Sequence, residues 1–245
     1  PEQYRRFLGR LIRLDFGQSL SFNQPALDVV FSRFPATLKL AVASMLVTVL
    51  IGVPFGVLAA VRRNSLIDRL GLVVALIGTS APTFWIGILL ILLCSVHWRI
   101  FPSNGDEGLQ SLVLPAVTLG VFSMAKISRI TRSAMLEVLS SDYLRTARAK
   151  GLRERTTLFG HAMPNAMLAV VTVAGLEFAL LLGGAVITET VFAWPGMGRL
   201  AVQAIGARDY PLVQAIVFVF AVLVLVVNLA LDLVYPLLNP RLRVR

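Results

Sequence analysis

Five apolar runs limit what this chain can fold into: Thr37 to Val61, Leu70 to Val96, Leu109 to Ile127, Ala166 to Val191 and Pro211 to Tyr235. Each is near the ~20 residues that an α-helix needs to cross a bilayer. Hydrophobic residues make up 57% of the 245 and charged residues 15%, against roughly 45–50% and about 25% in soluble domains, which excludes a water-soluble globular enzyme. The expected fold class is all-α, a polytopic transmembrane helical bundle with five spans in this chain. The third run is the shortest in apolar length and ends at Lys126, which should snorkel to the headgroups.

Five spans put the termini on opposite sides, so the distribution of Lys and Arg distinguishes two orientations. Taking the connecting segments alternately, one side carries Arg62, Arg63, Arg69, Lys126, Arg129, Arg132, Arg145, Arg148, Lys150, Arg153, Arg155, Arg241, Arg243 and Arg245. The other carries Arg5, Arg6, Arg10, Arg13, Arg33, Arg99, Arg199 and Arg208, with Lys39 at a boundary. The first side is expected to be cytoplasmic and the N-terminus external. A basic leading segment is normally held inside, and the chain begins at Pro1 with no signal-peptide apolar core ahead of Arg5. A further, upstream span is therefore expected. The net charge of +10 needs no nucleic acid, because these residues sit where anionic membrane lipid attracts them. The single cysteine, Cys94, permits neither an intrachain disulfide nor a cysteine metal site.

Ahead of the first span, Phe7, Leu8, Leu11, Ile12 and Leu14 recur at helical spacing between Arg6, Arg10 and Arg13, the pattern of an interfacial amphipathic helix. Residues 1–36 are expected to be an external amphipathic segment, 37–240 one transmembrane domain with a cytoplasmic loop over 129–164, and 241–245 a cytoplasmic tail. Pro54, Pro82 and Pro115 should kink the spans, and Gly52 and Gly56 form a small-xxx-small pair suited to close helix packing.

The loop over 129–164 holds a well-punctuated short helix. Ser141 suits the N-cap, Asp142 the first turn, Arg148 and Lys150 the last turn, and Gly151 the C′ position. Leu139, Tyr143 and Ala147 recur on one face, and a helical pattern resumes at a new angle from Leu152 to Ala162. A helix this short is marginal in water and needs a surface to lie on. Either the membrane interface and the protein's own cytoplasmic ends supply that surface, or the helix is a knob for a cleft in a cytoplasmic partner.

The run Asp142-Tyr143-Leu144-Arg145-Thr146-Ala147-Arg148-Ala149-Lys150-Gly151-Leu152, followed by His161-Ala162-Met163-Pro164-Asn165-Ala166, resembles the cytoplasmic coupling loop of permease subunits of ABC importers. The dipeptide, oligopeptide and nickel branch is the nearest. The general motif is Glu-Ala-Ala, three residues, Gly, nine residues, then Ile-x-Leu-Pro, and Ala147, Gly151 and Pro164 fall at the corresponding places. Arg145, Thr146, His161 and Met163 depart from it, in the manner of the peptide branch's own Arg-Thr-Ala-Arg-Ala-Lys-Gly variant. Asp15 to Ser19, Thr37 to Ala41, Gly183 to Val186, Glu189 to Phe192, Trp194 to Gly198 and Ala207 to Pro211 also resemble segments of that branch, so the likeness extends over nearly the whole chain.

The resemblance implies the type I permease fold of ABC importers, with six spans in the full protein and the first absent here. It implies a complex with a second homologous permease, two cytoplasmic ATPase subunits and an external substrate-binding protein. The chain has no Gly-x-x-x-x-Gly-Lys-Ser/Thr loop, so no cofactor is expected in it, and ATP and Mg belong to the partner ATPase subunits. The residues expected to couple to them are Asp142, Tyr143, Arg145, Thr146, Ala147, Arg148, Ala149, Lys150, Gly151 and Pro164.

Glu177 and Asp232 lie in apolar runs, where a charge is expensive and often functional, and are candidates for the translocation path; a hydrogen-bonded carboxyl at a helix interface is the plainer account. A position near the headgroups is the plain reading of Glu189 and an alternative for Asp232. Through Glu177 and Asp232 an ion-coupled secondary transporter is the alternative class, and nickel is an alternative solute within the ABC family. No catalytic or metal-binding residues are expected: His97 and His161 stand far apart, and neither His-Glu-x-x-His nor Gly-x-Ser-x-Gly occurs. Phe192, Trp194 and Tyr210 flank a turn beside Arg199 and Arg208, the pattern of an interfacial aromatic belt; Trp194, Arg199 and Arg208 are the candidates for an external gate facing a binding protein.

Overall fold

The structure, a computed structural model, describes residues 9–106 and 108–238. Phe7, Leu8 and the Arg5 and Arg6 of the leading segment, and the 241–245 tail, lie outside the described residues. Among the described residues a short helical stretch over 9–12 precedes eight α-helices: α1 (Ala26–Val61), α2 (Leu66–Ser80), α3 (Thr83–Leu90), α4 (Leu109–Leu139), α5 (Asp142–Ala149), α6 (Met163–Val191), α7 (Met197–Gly206) and α8 (Tyr210–Leu238). Wider, π-type turns continue α3 over Ile91–His97 and lead into α6 over Thr156–Ala162. Among the described residues α1, α4, α6 with its lead-in, and α8 are each long and apolar enough to cross a membrane, and α2 with Thr83–His97 meets the same measure only as a bent pair, a fifth span if the two are counted as one.

The bend of 106° falls where the second apolar run meets Pro82. Proline cannot donate its missing N–H and drives the residue before it out of the helical region, and Ala81 accordingly sits at φ −77°, ψ 133°. Pro35 and Pro54 in α1 and Pro115 in α4 lie inside helices that continue through them.

Two helices outrun the apolar stretches that announced them. α1 begins at Ala26, ahead of Thr37, because Ala26, Val29 and Val30 bury against α7 and α8 together with Phe16. That part of the leading segment is thus packed on protein rather than laid in the interface. α4 runs past Ile127 to Leu139 because Ile127, Thr131 and Met135 keep a four-residue apolar stripe buried beneath the charged residues. The connecting loop is shorter than 129–164 by that helix and by the lead-in to α6. Lys126 consequently lies well inside α4, and it does not end a span.

α1 crosses α4 most closely. Thr48 Oγ1 donates to the Gly120 carbonyl at 3.2 Å, and a Cβ on Gly56 would stand 2.5 Å from the Ser128 carbonyl oxygen, so the Gly52/Gly56 pair does serve helix packing. Three buried clusters follow: Phe16, α1, α7 and α8 at one end; Leu40, Leu119, Leu181 and Trp194 near it; and Val53, Val57, Ile127, Met135, Leu144 and Ala166 at the end that carries α5.

Candidate functional site

α5 is an eight-residue helix between two long ones. Its single buried side chain is Leu144, wholly inaccessible and seated among Val57, Ile127, Met135 and Ala162. Leu139 belongs to α4, Ala147 is half-buried and Tyr143 is 47% exposed, so the anchoring position differs from the stripe read from the sequence. The hydroxyl of Tyr143 donates to the His161 carbonyl at 3.4 Å and accepts from Asn165 Nδ2 at 3.1 Å, which stitches α5 to the start of α6.

The ends of α5 are closed by local geometry. Ser141 has the extended backbone of an N-cap, yet its hydroxyl donates backwards to the Val138 carbonyl at 2.5 Å and so serves the end of α4. At the other end Gly151 adopts φ +79°. The Leu152 N–H donates to the Ala147 carbonyl and the Gly151 N–H to that of Arg148, the paired bonds of a Schellman cap. Pro164, exposed near the start of α6, has no N–H to give, and the π-type turn stands where that bond would fall.

The outer face of α5 presents Asp142, Arg145, Thr146, Arg148, Ala149 and Lys150 to solvent. Arg148 forms a forked pair with Glu154 at 2.9 and 3.2 Å, and that hydrogen bonding holds the Glu154 carboxyl below its ordinary range. Both partners are largely exposed, so the pair contributes little stability and orients the guanidinium.

Within the bundle, the Glu177 carboxylate is buried and shared between Lys126 Nζ at 2.5 Å and Ser123 Oγ at 2.7 Å. Lys126 thus balances its charge sideways against α6 instead of reaching the headgroups. Asp232 is exposed on α8, apart from this pair. A second ion pair, absent from the sequence reading, joins α4 to α2: Arg132 grips Asp68 through both Nε and Nη2 at 2.6 and 2.8 Å.

The opposite end of the bundle is gathered on Glu189, a buried carboxylate and not a headgroup residue. Its Oε1 accepts from Thr37 Oγ1 at 2.7 Å and its Oε2 from the Arg199 N–H at 3.0 Å, while Thr37 accepts from the Met197 N–H. Gly196 leaves room for this carboxylate, since a Cβ there would overlap it. Trp194 and Phe192 are buried, with the Trp194 Nε1–H donating to the Ala36 carbonyl at 2.9 Å, so they are core residues and not members of an aromatic belt. Arg199 is half-buried and donates from Nη1 to the Ala193 carbonyl; Arg208 is exposed at φ +56°. Nearby, Asp209 caps α8, accepting from the Leu212 N–H, and receives Ser19 Oγ at 2.5 Å and the Ser21 N–H. Burial pushes its carboxyl upward, and these hydrogen bonds outweigh it and hold the group below its ordinary range. Side-chain partners 152 and 190 residues apart leave no local pattern; Thr37 and Gly196 were legible only as parts of resembling segments.

Residues 52–244 match the family described as binding-protein-dependent transport system inner membrane component. The chain belongs to that family. The permease is 41% identical to the dipeptide transport system permease protein DppB of Escherichia coli K12 over 273 aligned residues, covering 99% of this chain and 80% of that protein. It is 42% identical to the glutathione transport system permease protein GsiC of the same strain over 241 residues, covering 98% and 79%. Its fold is shared with a chain of the MetNI methionine ABC transporter in an inward-facing form, with a TM-score of 0.71, 22% identity and 86% and 96% of the two chains covered. A chain of an amino acid ABC transporter crystallised with histidines follows at 0.63, with 20% identity and 85% and 93% covered. The permease is therefore a membrane subunit of an ABC importer, a transport component.

Proposed function

We propose that this permease forms half of a translocation path for short peptides, works beside a second homologous permease, and is driven through α5 by two cytoplasmic ATPase subunits that hold ATP and Mg. An external substrate-binding protein delivers the solute. The observation that carries the coupling role is α5 itself: one buried leucine fixes it to the bundle, a Schellman cap ends it, and its polar face is left open to a partner. The names of the relatives, dipeptide and glutathione permeases, favour peptides over nickel and ATP-driven import over ion coupling.

In this reading the end bearing α5 is cytoplasmic, in keeping with the Lys and Arg distribution, and the Glu189 end with Arg199 and Arg208 faces the binding protein. Asp232, exposed on α8, is the membrane-embedded carboxylate open to solute, whereas Glu177 is engaged by Lys126 and Ser123 and positions α4 against α6. The test is Gly151→Asp and Arg148→Glu in the purified complex. Loss of ATPase subunits from the complex, or of peptide uptake with the complex intact, is expected; normal assembly and uptake in both variants would refute the role of α5.

A further inference from the structure

At the α5 end of the bundle, α1, α2 and α4 line a partly open cavity of about 250 Å³. Gly52 and Phe55 of α1, Gly71 and Gly78 of α2, and Met124 and Ser128 of α4 are among its walls, and its lining is almost wholly apolar. Phe55, Gly71 and Ser128 also border a smaller neighbouring recess, the mouth, that adds the charged residues Asp68, Arg129 and Arg132. Cavity and mouth adjoin, sharing Phe55, Gly71, Ala75 and Ser128 as walls.

Water gains no hydrogen bonds in such a space, and an apolar cavity left empty forfeits packing. An apolar occupant would restore that packing, and the bilayer supplies one: Leu70, Val73 and Ile77 on α2 are each more than half exposed and apolar. The mouth adds a charge preference. Asp68 is buried and committed to both nitrogens of Arg132, so the acid there is already neutralised. Arg129 and Arg69 are exposed, Arg62 and Arg63 follow the end of α1, and among the described residues no carboxylate pairs with any of the four. A basic recess between membrane helices suits a phosphate headgroup.

We propose that this recess binds an anionic phospholipid, with an acyl chain in the cavity between α1, α2 and α4 and the phosphate at Arg129. The site is independent of the transport reading above. Its consequence is that the α2–α4 contact, tied by the Asp68–Arg132 ion pair and packed at Gly78 against Val121 and Ala125, is completed by lipid.

The test uses the assembled transporter in nanodiscs of phosphatidylcholine carrying a trace of phosphatidylglycerol with a photoactivatable acyl chain, and adducts mapped by mass spectrometry. Adducts on 51–55, 71–78 and 121–128 are expected, with far weaker labelling by a photoactivatable phosphatidylcholine. Arg129→Gln should lower the yield about fivefold, the factor expected for one basic residue at a membrane surface, and Gly78→Leu, which extends a side chain into the cavity, should abolish it. Arg13→Gln, an exposed cation elsewhere, should change nothing. Equal labelling by the two lipids, no adduct on these residues, or an unchanged yield in Arg129→Gln would each overturn the proposal. If Gly78→Leu fails to assemble, the lipid comparison and Arg129→Gln decide it. A cross-link from these residues to the second permease in place of lipid would also refute it.

Discussion

Leu144→Ala tests how the short helix α5 is held. The side chain is wholly buried in the cluster at the α5 end of the bundle, and leucine-to-alanine changes at such sites cost about 2–5 kcal/mol. The remaining attachments are weaker. The Tyr143 hydroxyl makes two exposed hydrogen bonds, each worth about 0.5–1.5 kcal/mol or less, and the exposed Arg148–Glu154 pair adds about 1 kcal/mol at most. An eight-residue helix has no stability of its own to offset the loss. Local opening of α5 should therefore become easier by nearly the whole amount, and amide exchange of residues 145–151 should quicken by about thirty-fold to several-thousand-fold, tenfold for each 1.4 kcal/mol. Exchange within the middle of α6 should stay as it was, because its other contacts persist. Hydrogen-exchange mass spectrometry of the assembled transporter reads both, and peptide uptake in proteoliposomes should fall in step. Unchanged protection of 145–151 would mean that polar contacts hold α5 and that burial of Leu144 does not.

Further outcomes follow from the polar groups and the close crossings. Lys126→Met should destabilise the bundle more than Glu177→Gln, because the first strands a buried carboxylate while the second leaves a part-exposed lysine that can turn away; thermal unfolding in detergent compares them, and equal shifts would count against the pairing. Gly56→Ala should lower the unfolding temperature by the equivalent of about 1–3 kcal/mol through overpacking against Ser128 and Thr131, whereas Gly183→Ala, with nothing near the added methyl, should raise it by the equivalent of up to about 1 kcal/mol through helix propensity alone. Since the folded Asp209 carboxyl titrates below its ordinary value, its stabilisation is complete above the unfolded value of about 3.9 and is lost as pH falls through the folded one. Asp209→Asn should flatten the acid limb of stability against pH, and an unaltered acid limb would show that this carboxyl does not contribute.

The spans were legible because apolar length and the cost of polar groups in lipid act on contiguous residues. Gly151 was legible for the same local reason: only a residue tolerant of positive φ ends a helix in a Schellman cap. The extension of α4 was masked by hydropathy, since Arg129 and Arg132 hide the Ile127, Thr131 and Met135 stripe from a run-based reading, although the four-residue spacing was there to be found. Ala26 to Phe34 fell to the external amphipathic segment of 1–36, outside the transmembrane domain, because its burial depends on α7 and α8, far along the chain. Trp194 looked like a belt residue because an aromatic beside Pro and Gly reads the same whether it meets lipid or the Ala36 carbonyl. Asp68 carried no signal beyond its charge, and Glu189 none beyond the resembling segment it belongs to, as their partners are set by tertiary packing.

The helix α6 is clamped at both ends: Tyr143 meets His161 and Asn165 where it starts, and Glu189 meets Thr37 and Arg199 where it stops. With 29 residues it is about 43 Å long, and it carries no internal proline beyond its first turn to act as a flexible joint. A rod of that length tilted by about 10° about one end moves the other by roughly 7 Å. A change in the tilt of α6 at its α5 end would therefore be carried along the whole helix to the Thr37–Glu189 junction, against the hold that Lys126 and Ser123 keep on Glu177 midway.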